Sequence, residues 1–323
     1  MAKAVVVNRT GGPEVLEYTD VDPKTPGPGD LLVDVAAAGV NYIDTYHRAG
    51  RYPLPLPFGI GLEGAGRVVE VGAEVTSFRV GDRVAWHGTL GSYAEQAVVP
   101  AADALLVPEG VDDDVAAALP LQGLTAHFLV RSTFEVSGGH TVLVHAAAGG
   151  VGLLLVQLAA ARGARVLATV STAEKEALAR EAGAAEVIRY DEVDFAARVR
   201  SLTSGAGVDV VYDGVGASTY EGSLASLRPR GLLALYGAAS GPVPPLDPQI
   251  LNQHGSLFLT RPSLGAYTAT REELDWRAGE LFGAVADGSL KVRIGGRYAL
   301  SDAKRAHEDL EGRRTTGKLL LTP

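Results

Sequence analysis

Residues 141–152 read Thr-Val-Leu-Val-His-Ala-Ala-Ala-Gly-Gly-Val-Gly, an apolar run that ends in a glycine-rich turn. Within it, Ala147-Ala148-Gly149-Gly150-Val151-Gly152 has the spacing of a turn that grips a dinucleotide pyrophosphate, with Ala147 where the pattern usually opens on glycine. Gly149 leaves no side chain to block the phosphates, and Gly152 lets a helix close on the preceding strand. A helix start offers unpaired N–H groups and the positive end of its dipole to the anion. The plain alternative is a glycine-rich turn with no ligand. The strand-like run before it and the apolar helix-like run after it favour the cofactor.

The next apolar segment bears on which dinucleotide fits. A site for NAD usually carries Asp or Glu about 20 residues on, against the ribose 2′-hydroxyl. Here the segment ends Thr169-Val170-Ser171-Thr172 without an acid, and Lys175 follows one helical turn later. Two neutral hydroxyls and a cation suit a 2′-phosphate, so NADPH is expected over NADH. A solvated helix lysine is the alternative for Lys175. Tyr190 ends a third segment and is expected beside the adenine ribose. Gly214-Val215-Gly216 and Tyr236-Gly237-Ala238 follow a fourth and a fifth, at carboxyl ends of strands, where open α/β sheets bind ligands.

To converge, these residues need a parallel sheet. Strands are expected at 141–145, 165–170, 186–190, 208–212 and 231–236, with helices at 150–162, 173–182, 195–202 and 218–227 between them. The alternation predicts an α/β, Rossmann-type doubly wound parallel sheet with helices on both faces. Gly163 and Gly183 fall just past two helix ends, where a left-handed cap favours glycine. The first 120 or so residues differ. Short β-like runs at 4–8, 31–35, 66–71 and 83–86 are separated by turns such as Pro26-Gly27-Pro28-Gly29, which predicts an irregular, mainly β domain. A helix at 272–287 and strands at 297–300 and 318–321 close the chain.

The 323 residues make two domains the default. There is no cysteine, so no disulfide and no thiolate-bound metal. His47 and His87 are single residues without a ligand cluster, so no metal is assigned. A net charge of −9 weighs against a nucleic-acid binder. No apolar stretch approaches a membrane span, and the opening apolar run is too short for a signal peptide; the cytoplasm is expected.

The motifs resemble those of the medium-chain dehydrogenases/reductases, and most closely the zinc-free quinone oxidoreductases related to zeta-crystallin. The likeness runs essentially end to end. It is carried by Gly11-Gly12-Pro13-Glu14-Val15-Leu16, Gly39-Val40-Asn41-Tyr42-Ile43-Asp44, Gly61-Leu62-Glu63-Gly64-Ala65-Gly66, Val80-Gly81-Asp82-Arg83-Val84, His145 through Gly152, and Thr260-Arg261-Pro262-Ser263-Leu264. The zinc-dependent branch carries Cys and His where this chain has Asn41 and Leu62. Losing both ligands removes the Lewis acid that activates an alcohol, so reduction of an electrophilic acceptor is expected instead.

The resemblance implies NADPH-dependent, metal-free reduction of quinones in a cleft between the domains. It nominates Asn41, Tyr46, Tyr52 and Arg261 for the acceptor. Asn41 and Thr125, beside Gln122-Gly123-Leu124, would lie near the nicotinamide, and Lys318 is expected to approach the cofactor. Partly exposed loop tyrosines and a surface lysine are the plain alternatives for Tyr46, Tyr52 and Lys318. The catalytic domain, GroES-like and discontinuous, is expected at 1–119 and 259–323, and the dinucleotide-binding domain at 120–258. A homodimer is expected through the sheet edge at 257–261, since an exposed apolar edge needs a partner. Reduction of enals or enones is the rival reaction. A non-enzymatic NADPH-binding structural or RNA-associated protein is the rival of another class. A short-chain dehydrogenase is disfavoured, since no tyrosine has Lys four residues on.

Overall fold

The computed structural model describes residues 2–323. The chain divides into two compact units: Thr125–Ala269, and the two segments Met1–Leu124 and Thr270–Pro323 together.

The unit Thr125–Ala269 is built on six parallel strands. In chain order these are Thr141–Val144, Arg165–Val170, Glu186–Arg189, Val208–Asp213, Leu227–Leu235 and Phe258–Thr260. Their spatial order is third, second, first, fourth, fifth, sixth, the doubly wound arrangement. The first two strands are buried on both faces through Val142, Leu143, Val144, Val166, Leu167 and Ala168, as strands sandwiched between helices must be. Helices Gly150–Ala161, Ala173–Glu181, Phe195–Leu202 and Tyr220–Ser226 supply the crossovers. Gly163 and Gly183 take positive φ just past two of them.

Two features differ from the sequence expectation. The fifth strand starts at Leu227, running through Pro229 and Gly231. The sixth strand, Phe258–Thr260, pairs with Leu232, Leu233 and Ala234, so the residues after 258 stay with this sheet and the unit boundary falls at Ala269. The outer edge of the sixth strand bears Phe258 and Leu259, 62% and 38% exposed.

The other unit holds a seven-stranded, mainly antiparallel sheet and a three-stranded one. Its centre is the long strand Asp30–Val40, flanked by Glu63–Val71 and Gln96–Pro100 and by the C-terminal strand Lys318–Thr322. Leu319 pairs with Val40, and that register sets Lys318 beside Asn41. Val33, Val68, Val84, Trp86, Tyr93 and Leu319 share the core. The C-terminal helix Ala303–Glu311 and the short helix Tyr42–Arg48 belong to this unit and lie outside the sequence expectation. Their lengths, nine and seven residues, give little periodicity to read. Among the described residues, no helix is long and apolar enough to cross a membrane.

Candidate functional site

The glycine-rich turn is set by backbone contacts. Ala146 takes φ 50°, and its carbonyl accepts the Gly149 N–H at 2.9 Å. The Ala147 N–H donates to the Thr169 carbonyl at 3.1 Å, tying the turn to the second strand. Gly149, with φ −77° and ψ 173°, is the N-cap of the twelve-residue helix Gly150–Ala161. A Cβ on Gly152 would collide with the Ala146 carbonyl and Ala147 backbone, so only glycine lets helix and turn meet. A Cβ on Gly149 would meet only the Ala146 carbonyl, at 3.2 Å; beyond it the space is open. Gly150, Val151 and Gly152 form the first helical turn, whose N–H groups have no partner inside the helix, and Ala148 is buried beneath. A cradle of backbone donors open on one side fits a dinucleotide pyrophosphate.

At the end of the second strand, the Thr172 hydroxyl accepts the Lys175 N–H at 3.2 Å and caps the helix Ala173–Glu181. Ser171 and Lys175 are half-buried there. Tyr190, 43% exposed, donates its N–H to the Val170 carbonyl at 3.2 Å, which brings it to the same strand end. Ser171, Thr172, Lys175 and Tyr190 are therefore grouped as the sequence grouped them.

The turns after the fourth and fifth strands hang on Asp213, a fully buried carboxylate that sequence reading missed. Its Oδ1 accepts from the N–H groups of Val215 at 2.8 Å and Gly216 at 3.0 Å, and from the Thr219 hydroxyl. Its Oδ2 accepts from the Ser223 hydroxyl at 2.8 Å. Its carbonyl receives the Tyr236 and Gly237 N–H groups. Because Ser223 gives its proton to Asp213, His145 Nε2 donates to Ser223 at 3.0 Å, and His145 Nδ1 accepts from Thr169 at 2.8 Å. Burial pushes the His145 imidazole down, against the opposing pull of Asp213. The sequence signal was an acid directly before Gly-Val-Gly, a residue type that satisfies turn N–H groups. Elsewhere in this unit, Thr125 is buried in the helix Pro120–Phe128, and Arg261 is exposed just past the sixth strand, with a 3.5 Å contact to the Pro262 carbonyl.

In the other unit, Asn41 is 4% exposed and its amide is saturated. Nδ2 donates to Glu63 Oε2 at 2.8 Å and to the Gly39 carbonyl at 3.3 Å; Oδ1 accepts from Lys318 Nζ at 2.8 Å and Gln122 Nε2 at 3.3 Å. The Lys318 ammonium, 1% exposed, also forms an ion pair with Glu63, whose other oxygen accepts the Leu121 N–H at 2.7 Å. Burial pushes the Lys318 ammonium down, and Glu63 pushes it back up. A Cβ on Gly39 would strike both Glu63 and Lys318, so glycine makes room for the pair. Lys318, expected to approach the cofactor, is buried here on Asn41 and Glu63.

Asn41 is also the N-cap of the helix Tyr42–Arg48, with its N–H on Asp44 Oδ2 at 2.8 Å. That helix carries Tyr46, whose ring meets Tyr52 edge-on at 5.5 Å; His47 meets the same Tyr52 ring at 6.0 Å. The Arg51 guanidinium lies 5.6 Å from the Tyr46 ring centre. Tyr46 is buried and Tyr52 is 42% exposed. Among the described residues, no group of three or more His, Cys, Asp or Glu side chains is arranged to hold a metal ion.

Family models match both units. Residues 27–109 match the alcohol dehydrogenase GroES-like domain, and residues 150–277 match the zinc-binding dehydrogenase domain. The chain is 50% identical to a quinone oxidoreductase of Pseudomonas aeruginosa over the whole of both chains. It is 44% identical to a 2-haloacrylate reductase of a Burkholderia species, over all of this chain and 99% of that one. The crystal structure of Escherichia coli quinone oxidoreductase complexed with NADPH superposes with a TM-score of 0.98 at 45% identity, covering both chains fully.

Proposed function

The chain belongs to the quinone oxidoreductases of the medium-chain dehydrogenase/reductase superfamily, and on that premise we propose that it is a zinc-independent, NADPH-dependent reductase of quinones. The observation that carries this reading is the open cradle at Gly149, joined to a second strand that ends in Ser171, Thr172 and Lys175 with no acid. When bound, NADPH supplies a hydride equivalent from its nicotinamide ring. The first turn of the helix Gly150–Ala161 holds the pyrophosphate. Lys175 and Tyr190 take the 2′-phosphate end, and Val215, Gly237 and Thr125 line the nicotinamide end. Tyr46 and Tyr52 give a planar acceptor an aromatic pair to lie against. Asn41 has no hydrogen-bonding capacity to spare, so its part is to lock Glu63 and Lys318 under the acceptor loop.

The test is twofold. Fluorescence titration should give tighter binding of NADPH than of NADH, and Lys175→Ala should weaken NADPH about tenfold while leaving NADH within about twofold. Steady turnover of 1,4-benzoquinone with NADPH is expected, and its absence sinks the quinone reading. The 2-haloacrylate reductase relative favours a second reading, reduction of an activated double bond. Turnover of 2-alkenals exceeding that of quinones would select it.

We also propose that the exposed edge of Phe258–Thr260 pairs with a second copy of the chain, because an apolar open edge attracts another strand. Sedimentation of Leu259→Lys as a monomer, against a wild-type dimer, is the expected outcome. A chain without cysteine suits the cytoplasm, where this reading sets it.

A further inference from the structure

Asp44, in the first turn of the helix Tyr42–Arg48, is fully buried. Its Oδ2 accepts the Asn41 N–H at 2.8 Å and the Tyr93 hydroxyl at 2.8 Å, while its Oδ1 has no partner among the described residues. The Tyr93 oxygen lies 3.2 Å from His307 Nε2, and His307 Nδ1 lies 3.0 Å from an Arg48 nitrogen. Arg48 forks onto Glu311 with two contacts of 3.0 Å, and Glu311 reaches the surface.

The direction of this chain is forced. A guanidinium only donates, so His307 Nδ1 accepts and the ring proton sits on Nε2. Nε2–H then donates to the Tyr93 oxygen, and the Tyr93 hydroxyl donates to Asp44. Burial and the Arg48 charge hold His307 down at about 3, so the ring is neutral throughout the useful pH range. Asp44 is pushed up to about 7 by burial, against the Asn41 and Tyr93 hydrogen bonds. The charged or titratable groups around it are Lys318 on the C-terminal strand, Glu63 on Glu63–Val71, Tyr93 before Gln96–Pro100, and Arg48 and His307 one link further along. The helix held this way ends on Arg48, and the backbone N–H groups of Arg51 and Tyr52 both return to the Tyr46 carbonyl, at 2.9 and 3.3 Å.

Resting on the quinone-reductase reading, we propose that Tyr93 and His307 are positioning residues of the acceptor site, fixing the charge and orientation of Asp44 and through it the loop that presents Tyr46 and Tyr52. Neither touches the acceptor.

Tyr93→Phe removes one donor from Asp44 and little volume. The expected result is a KM for 1,4-benzoquinone raised about tenfold, with kcat and the NADPH Kd within about twofold. The midpoint of the pH dependence of that KM should move up by roughly one unit, since the anion loses a hydrogen bond. His307→Phe should reproduce this pattern. His307→Gln, whose amide can accept from Arg48 and donate to Tyr93, should restore wild-type values. A drop in melting temperature with KM and pH midpoint unmoved would reduce both residues to packing and overturn the proposal. So would parallel losses for NADPH and benzoquinone. Nitrogen-15 NMR of the histidines tests the wild type without turnover: His307 should be neutral and protonated on Nε2 from about pH 5 to about pH 9. A charged or Nδ1-protonated ring overturns the proposal. Since that measurement needs no acceptor, failure of the wild type to reduce benzoquinone counts against the quinone reading alone.

Discussion

Asp44 and Asp213 are equally buried, each fully shielded from solvent, yet the two units treat their carboxylates differently. Asp213 is met by neutral donors on both oxygens: two turn N–H groups and two hydroxyls. Asp44 has donors on one oxygen only, and near it stand a lysine and a second carboxylate. The first arrangement fixes backbone: it shapes turns and, among the described residues, forms no ion pair. The second is ionic and incomplete, so its state depends on pH and on its neighbours. What separates them is the number of donors that reach each carboxylate, since burial is the same.

The contrast breaks most sharply at Lys318. Lys318→Met leaves the buried Glu63 carboxylate unpaired and is expected to cost about 3–5 kcal/mol in urea unfolding, most of it regained when Glu63→Gln is added. The next effect is Asp44's own. Its carboxyl is raised from 3.8 to about 7 in the folded chain, so the native state holds a proton that the unfolded state gives up. Its stabilising contribution is complete below about pH 4 and is lost as pH rises through about 7, by an amount of about 2–4 kcal/mol. Asp44→Asn should flatten the slope of stability against pH in that window. Asp213→Asn keeps the shape but lacks the acceptors for four donors. It is expected to cost about 1–3 kcal/mol and to weaken NADPH and NADH alike, because the turns loosen rather than the cofactor choice. Ser223→Ala is the smallest change, about 1 kcal/mol, leaving His145 Nε2 without its acceptor. If Ser223→Ala proved as costly as Lys318→Met, the distinction between neutral and ionic anchoring would fall.

Sequence patterns reached one unit better than the other. The parallel strands are apolar on both faces and regularly spaced, and the turn carries its own glycine signature, so the strand-helix alternation and the turn at 147–152 could be read directly, while the strand order could not. Ser171, Thr172, Lys175 and Tyr190 could be grouped because they follow strand ends in a repeating pattern. The unit built on antiparallel strands has no such period. Lys318 meets Asn41 through the pairing of Leu319 with Val40, a contact across most of the chain that no local pattern encodes. Tyr93 and His307 are likewise brought to Asp44 by packing of distant segments, and each looks like an isolated polar residue when read alone. Asp44 itself stood in a quoted motif, three residues after Asn41, the spacing of an acid that answers a helix cap. Asp213 is legible in principle, as an acid directly before the glycines of a turn.

The proposed pyrophosphate grip at 149–152 is made of main-chain atoms, with Gly152 pressed so close to Ala146 that no side chain can replace it. At Gly152 the turn can only be kept or broken, since any Cβ there strikes main-chain atoms. On the proposed reading, the choice between two nearly identical dinucleotides falls to Ser171, Thr172, Lys175 and Tyr190, whose side chains lie outside that main-chain turn. Cofactor preference in this scaffold would then be open to engineering by side-chain exchange, with the main-chain anchor left in place.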